Sequence, residues 1–285
     1  MTTALLTDST ACLAPQWADE HGVAVVPLHV IVDGRNHVEG RDISAPEVAT
    51  ALRSKQRVTT SRPSPQALLA AYENLATQGA DEIVSVHLSS ELSGTVAAAQ
   101  LAAAEASVPV TVVDSRTLGM AMGAAVLDGA RAAATGAAAD DVATVVERSC
   151  VAGSLRLYVD NLEYLRRGGR IGSAAALFGS ALAIKPILGV IDGELALVEK
   201  VRTASRAMAR LAELSVEAVS EVPAWADGVQ IAVHHLDLAE RAADLRDQLA
   251  SQVDAPVRIV DLSAVIAAHV GPGAIAVAVS PVERT

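Results

Sequence analysis

Glu82-Ile83-Val84-Ser85-Val86-His87-Leu88-Ser89-Ser90-Glu91-Leu92-Ser93-Gly94-Thr95-Val96-Ala97-Ala98-Ala99 is the stretch on which the fold turns. Glu82–Leu88 is rich in β-branched residues and reads as a strand. Thr95–Ala106 is Ala-rich and reads as a helix. Between them lies a short loop dense in hydroxyls. A strand passing through a polar loop into a helix is the repeating unit of a parallel sheet. The first turn of the helix carries unpaired N–H groups and a partial positive charge, so this loop is suited to receive an anion. Ser93 and the amides near Gly94 would hold a carboxylate or phosphate. Without a ligand the plainer role for Ser93 is to cap the helix. The loop lacks the lysine of a phosphate-binding loop that serves nucleoside triphosphates.

Outward from this unit the same alternation continues. Ala4–Thr7 and Val23–Val32 read as strands. Ser44 with Glu47 forms a capping-box pattern that opens a helix to about Arg53. Ser64-Pro65 opens another, closed by Gly79. Val110–Val113 is a strand, Leu118–Ala134 a helix, and Asp140-Asp141 start one more. The pattern changes near Gly153. Leu155–Val159, Ile187–Ile191, Glu194–Val201, Val229–His234, Val257–Val260 and Ala274–Val279 are strands, with helices over 162–167, 204–219 and before Val257. Asp192-Gly193 between two of these strands signals a type I′ hairpin, whose central residues both need positive φ. The expected class is α/β, with a mostly parallel sheet and flanking helices in an N-terminal lobe, 1–153, and a smaller α/β C-terminal lobe, 154–285.

Composition narrows the function. The chain has 285 residues, close to the length at which one core divides into two. Hydrophobic residues make up 51% but aromatics only 2%, so the core is aliphatic and base-stacking platforms are scarce. A net charge of −11 excludes a duplex-binding footprint. Cys12 and Cys150 offer neither a disulfide framework nor a metal spacing. Met1–Thr10 lacks the features of a secretory signal, and a cytoplasmic location is expected. The longest apolar stretch, Ala174–Ile184, is too short to span a bilayer.

Other residues invite chemistry. Pro63 forces Arg62 into an extended conformation, so Thr59-Thr60-Ser61-Arg62 is not helical. Ser64 caps the next helix, leaving Thr60 and Ser61 without a structural task. Asp8-Ser9-Thr10 follows the first strand, at the strand end that faces the crevice in an open parallel sheet. Residues 161–210 hold eight basic and four acidic residues, an excess in an otherwise acidic chain. Within it Arg202, Arg206 and Arg210 recur at i, i+4 and form a face for phosphate or an acidic partner. His269-Val270-Gly271-Pro272-Gly273 brings backbone close to a neighbouring group. Asp8, Ser93 and His269 would supply a hydrolase triad, although no nucleophile elbow surrounds any serine.

Taken in order, Thr7-Asp8-Ser9-Thr10, Thr60-Ser61-x-Pro63, Leu88-Ser89-Ser90-x-Leu92-Ser93-Gly94-Thr95, Asp114-Ser115, Gly169-Arg170-Ile171, Lys185-Pro186-Ile187-Leu188, Lys200-x-Arg202-Thr203 and His269-x-Gly271-x-Gly273 resemble the DegV family. Its members include the FakB-type fatty-acid-binding proteins. The resemblance implies a two-lobed fold with a long-chain fatty acid between the lobes, and a separate fatty acid kinase that phosphorylates the bound carboxylate. It implies no catalytic residue, metal or cofactor in this chain. Carried over, Thr60 and Ser93 contact the carboxylate, with Ser61, the Gly94 amide and His269 nearby. Arg170, Arg202 and Arg206 face the partner or its phosphates. Arg62 stands where the family commonly has Gln, and Arg206 where it commonly has Lys. The alternatives are a serine-dependent lipid acyl hydrolase and a carrier of another small lipophilic acid.

Overall fold

The computed structural model describes residues 1–177 and 184–283. The first half contains strands β1 (Thr3–Asp8), β2 (Val23–Val26), β3 (His29–Val32), β4 (Arg35–Val38), β5 (Val58–Ser61), β6 (Glu82–His87) and β7 (Val110–Asp114). Its helices are α1 (Pro15–Glu20), α2 (Ala45–Arg53), α3 (Pro65–Thr77), α4 (Thr95–Ala103), α5 (Met120–Ala134) and α6 (Ala139–Ala152). Four strands form a parallel sheet in the order β2-β1-β6-β7. β1 leads outward to β2 and β6 outward to β7, so the sheet reverses direction between β1 and β6. Ligand crevices of open α/β sheets form at such a switch point, beyond the carboxyl ends of the strands.

The stretch Val23–Val32 is two strands, not one. Pro27 cannot donate to a ladder, and the chain turns there. β2 stays in the parallel sheet, while β3 enters a small antiparallel sheet of order β4-β3-β5. The extended segment around Thr60 is therefore a strand, with Thr60 opposite Val30. Glu47 accepts from both the amide and the hydroxyl of Ser44, and Ser64 accepts from the Ala67 amide, so both expected helix starts are present.

The second half adds β8 (Ser154–Tyr158), α7 (Glu163–Arg167), β9 (Lys185–Ile191), β10 (Glu194–Val201), α8 (Ala204–Ser220), β11 (Gly228–His235), α9 (Ala239–Ala250), β12 (Val257–Ile259), α10 (Ala264–Val270) and β13 (Ile275–Val282). Its six strands lie in the order β10-β9-β8-β13-β11-β12, antiparallel except for the last pair. Asp192 and Gly193 have φ of 51° and 87°, the turn expected between β9 and β10. Most of the apolar stretch Ala174–Ile184 lies outside the described residues. No helix among the described residues is long and apolar enough to cross a membrane.

Every strand before Gly153 belongs to the first two sheets, and every strand after it to the third. The largest apolar cluster nevertheless draws on both halves, joining Leu28, Val30 and Val48 to Leu157, Leu188, Val265 and Ala267. A buried carboxylate ties them as well. Glu39 accepts from Ser9 Oγ after β1, and from Ser263 Oγ (2.6 Å) and the Val265 amide (3.2 Å) at the start of α10. An unpaired carboxylate would be costly in that position, so these three donors fix α10 against the end of β1.

Candidate functional site

A cavity of about 550 Å³ lies beyond the carboxyl ends of β1, β6 and β7 and against the third sheet. That volume falls in the usual range for small-molecule sites, ~300–1,000 Å³. Most of its wall is aliphatic: Leu28, Leu88, Leu118, Leu157, Leu195 and Ile266 are representative. Among the described residues, no Phe, Tyr or Trp lines it.

One region of the wall is polar. It is assembled from β5, the loop after β6, the segment after α7, and α10. Thr60 sits on β5 with its Oγ1 2.9 Å from His269 Nε2. Ser93 and Gly94 stand before α4, and Gly94 is the residue at the helix cap. Ser93 does not cap the helix. Its hydroxyl instead pairs with Thr95 Oγ1 at 2.9 Å. Ser61 lines the same region, exposed, with its hydroxyl donating to the Arg62 carbonyl. Thr60, Ser61, Ser93, Gly94, His269 and Arg170 all line the cavity; Arg202 and Arg206 do not.

Arg170 is a bracket between loops. Its Nε donates to the Leu92 carbonyl at 2.9 Å and a terminal nitrogen to the Gly168 carbonyl at 2.5 Å. This places a guanidinium against the residue before Ser93, with no carboxylate among the described residues paired to it. Sequence reasoning did not place Arg62 in the site itself. It lines the cavity, and a Cβ on Gly94 would come within 3.0 Å of its guanidinium. The sequence signal was present, since Pro63 fixes Arg62 as extended, but only the β5–β3 pairing shows where that strand points.

The imidazole of His269 is held neutral. Burial, and then the positive charge of Arg170, push its pKa down to about 4. Its Nδ1 is buried with no hydrogen-bond partner among the described residues. Gly168 is packed there so closely that a Cβ would lie 2.2 Å from this nitrogen. A buried orphan N–H is rarer than a buried orphan acceptor. The proton therefore belongs on Nε2, which donates to Thr60 Oγ1. Thr60 then has its own hydroxyl hydrogen free to donate to a ligand. Downstream, Gly271 packs its backbone against the Tyr164 ring, the close approach expected of that glycine segment.

The loop itself is anchored from below. Asp8 ends β1 across the switch point from β6. Its carboxylate accepts from the amides of Thr10 (3.0 Å) and Leu88 (3.1 Å), and lies 3.0 Å from His87 Nδ1. His87 continues to Ser85 Oγ (2.8 Å), which accepts from the Tyr72 hydroxyl. All four side chains are buried. From above, Ser89 Oγ donates to the Gly193 carbonyl at the β9–β10 turn, at 2.7 Å.

These partners rule out the triad considered from sequence. Asp8 is bonded to His87, His269 to Thr60, and Ser93 to Thr95, so no acid–base–nucleophile chain forms. The basic face also needs correction. Arg210 is occupied by Glu199, Glu213 and Glu217, and Arg202 precedes α8 rather than lying on it. Among the described residues, Arg170, Arg202 and Arg206 form no ion pair. No group of His, Cys, Asp or Glu among the described residues is arranged to hold a metal ion.

Comparison with known proteins gives consistent matches over the whole chain. The family model described as "Uncharacterised protein, DegV family" matches residues 2–282. A DegV domain-containing protein of Streptomyces coelicolor is 47% identical over 279 residues, covering 97% of this chain and 98% of its own. A solved structure of a DegV family protein from Thermus thermophilus, described for its fatty acid binding, superposes with a TM-score of 0.91 at 31% identity, covering 99% of this chain and 100% of its own. DegV of Bacillus subtilis, described as a fatty acid binding protein, gives 0.88 at 30% identity, covering 99% of each chain.

Proposed function

The chain belongs to the DegV family, and on that premise we propose that it binds a long-chain fatty acid between an N-terminal lobe, 1–153, and a C-terminal lobe, 154–285. The observation that carries this reading is the pairing of an aliphatic cavity with a compact hydroxyl-rich cradle in its wall. The carboxylate sits between Thr60 and Ser93, with Ser61, the Gly94 amide and the Thr60–His269 pair completing the surround. The first turn of α4 adds a favourable dipole for the anion. Solved relatives described as fatty acid binding proteins support the same ligand class.

The two parts of the site divide the work unequally. Burying roughly 14 methylenes at ~0.8 kcal/mol each contributes on the order of 11 kcal/mol before ordering costs. Each hydrogen bond to a charged carboxylate contributes about 1.5–3 kcal/mol. The tail supplies most of the affinity, and the cradle decides which end faces out.

The chain acts as a carrier rather than an enzyme. It presents the carboxylate to a separate fatty acid kinase, where a carboxylate oxygen attacks the γ-phosphorus of ATP, the bond from that phosphorus to the β–γ bridging oxygen breaks, and the products are an acyl phosphate and ADP. Arg170, Arg202 and Arg206, which have no acidic partner among the described residues, face the added negative charge. Mass spectrometry of organic extracts from freshly purified protein tests the ligand. A long-chain fatty acid at close to equimolar ratio is expected. Repeated recovery of no lipid, with no rise in melting temperature on adding fatty acid, overturns the reading.

A further inference from the structure

The apolar cavity has a neighbour. A groove of about 1150 Å³ runs beside it, lined in part by the ion pairs Lys185–Asp160 and Arg53–Asp237. Two residues, His235 and Leu262, line both spaces. Where one residue lines two cavities, the partition between them is one residue thick. His235 is the last residue of β11, and Leu262 lies between β12 and the Ser263 cap of α10. Leu262 is half-buried and packs on the main apolar cluster.

The position of this partition along the cavity follows from α10. His269, near the carboxyl end of the helix, belongs to the polar cradle. Val265 and Ile266 line the aliphatic wall, and Leu262 lies just before the helix begins. At ~1.5 Å per residue, the start of α10 at Ala264 is about 7.5 Å from His269 along the helix axis, and Leu262 lies two residues before that start. The partition therefore stands away from the head-group cradle, on the tail side.

We infer that Leu262, backed by His235, is the stop that limits the length of the acyl chain. This rests on the fatty acid reading of the cavity. Shortening Leu262 joins the cavity to the groove and gives a longer tail an exit. Enlarging it shortens the usable cavity. A buried methylene contributes ~0.8 kcal/mol, about fourfold in affinity, and one half-wetted in a polar groove about twofold.

The test measures affinities of wild type, Leu262→Ala and Leu262→Phe for myristate, palmitate and behenate by displacement of a fluorescent fatty acid. In Leu262→Ala the preference for behenate over palmitate should rise at least tenfold. In Leu262→Phe the preference for myristate over palmitate should rise several-fold. Preferences unchanged within twofold in both variants, while wild type binds palmitate, overturn the length stop and leave the carrier reading standing. A wild type that binds none of the acids overturns the carrier reading and the length stop with it.

Discussion

Replacing Thr60 with Val and Ser93 with Ala removes the two hydroxyls proposed to donate to the carboxylate. Each charge-assisted bond contributes about 1.5–3 kcal/mol, so losing both costs about 3–6 kcal/mol. Both residues are half-buried at the cavity wall, and water can re-solvate the carboxylate in part. The loss should sit at the lower end, roughly a hundredfold in Kd. The methyl ester of the same acid carries no charge. It loses only neutral bonds of about 0.5–1.5 kcal/mol each, so acid-over-ester selectivity should fall about tenfold. The fold is touched less. The double variant leaves His269 Nε2 and Thr95 Oγ1 without their partners, about 1–3 kcal/mol each at most. Calorimetric titration with acid and ester, beside thermal unfolding of the empty proteins, separates these effects. A folded double variant with unchanged affinity for the acid refutes the cradle.

Other perturbations have definite outcomes. Arg170→Ala should leave bound lipid within a few-fold of wild type while acyl-phosphate formation with a cognate kinase and ATP falls at least ~tenfold, since the partner-side charge is lost; a variant that arrives empty of lipid would make Arg170 a lipid-retaining residue and refute the division of roles. Gly193→Ala forces a side chain onto φ +87° and a Cβ to 2.7 Å from Ser89 Oγ, so thermal unfolding should come several degrees lower, from a cost of about 2 kcal/mol. Stability should also fall between pH 7 and pH 5. Burial depresses the pKa of His234 and His269 to about 4, against 6.5 in an unfolded chain. As pH falls through that window the unfolded state takes up protons that the folded state refuses, and each imidazole costs about 2 kcal/mol by pH 5. Asp128, raised by burial to about 6, holds its proton in the folded state and offsets about 1 kcal/mol. The net loss, about 2–3 kcal/mol in urea unfolding, should shrink by more than half in His234→Gln if that variant folds; a flat profile from pH 7 to 5 refutes the assignment of neutral buried histidines.

Much of this architecture was legible because it rests on local rules. The parallel unit from Glu82 to Ala99, the Ser44–Glu47 and Ser64 helix starts, and the Asp192-Gly193 turn each follow from short-range sterics or hydrogen bonding. What escaped was non-local. β3, β4 and β5 are short, and nothing within Val58–Ser61 says that Thr60 will pair with Val30 and point its hydroxyl at His269, 209 positions away. The seven-residue helix carrying His269 was hidden in an apolar run, because a fully buried helix shows no polar face. Arg202, Arg206 and Arg210 looked like one face by spacing. Three glutamates on the β10–α8 side claim Arg210, which spacing alone does not reveal.

The chemistry of the cradle suits a carrier whose cargo must still react. A carboxylate locked in a buried ion pair is stabilised as an anion and loses nucleophilicity, and removing one partner of such a pair is costly. Here the groups proposed to hold the carboxylate are hydroxyls, an amide and an imidazole kept neutral by burial and by Arg170, with the Arg62 guanidinium beside Gly94 at the same wall. Arg170 spends its hydrogen bonds on the carbonyls of Leu92 and Gly168, so its charge acts from behind the loop rather than through a direct pair. Retention would not require more, because the aliphatic wall would contribute about two to four times what two head-group bonds do. In the proposed complex the oriented donors would fix the head group and leave it chemically available. The Asp8–His87–Ser85–Tyr72 chain beneath and the Gly193 contact above hold the loop that presents Ser93. A fixed loop lowers the ordering cost of binding and, on the proposed reading, would keep the carboxylate in one orientation for transfer.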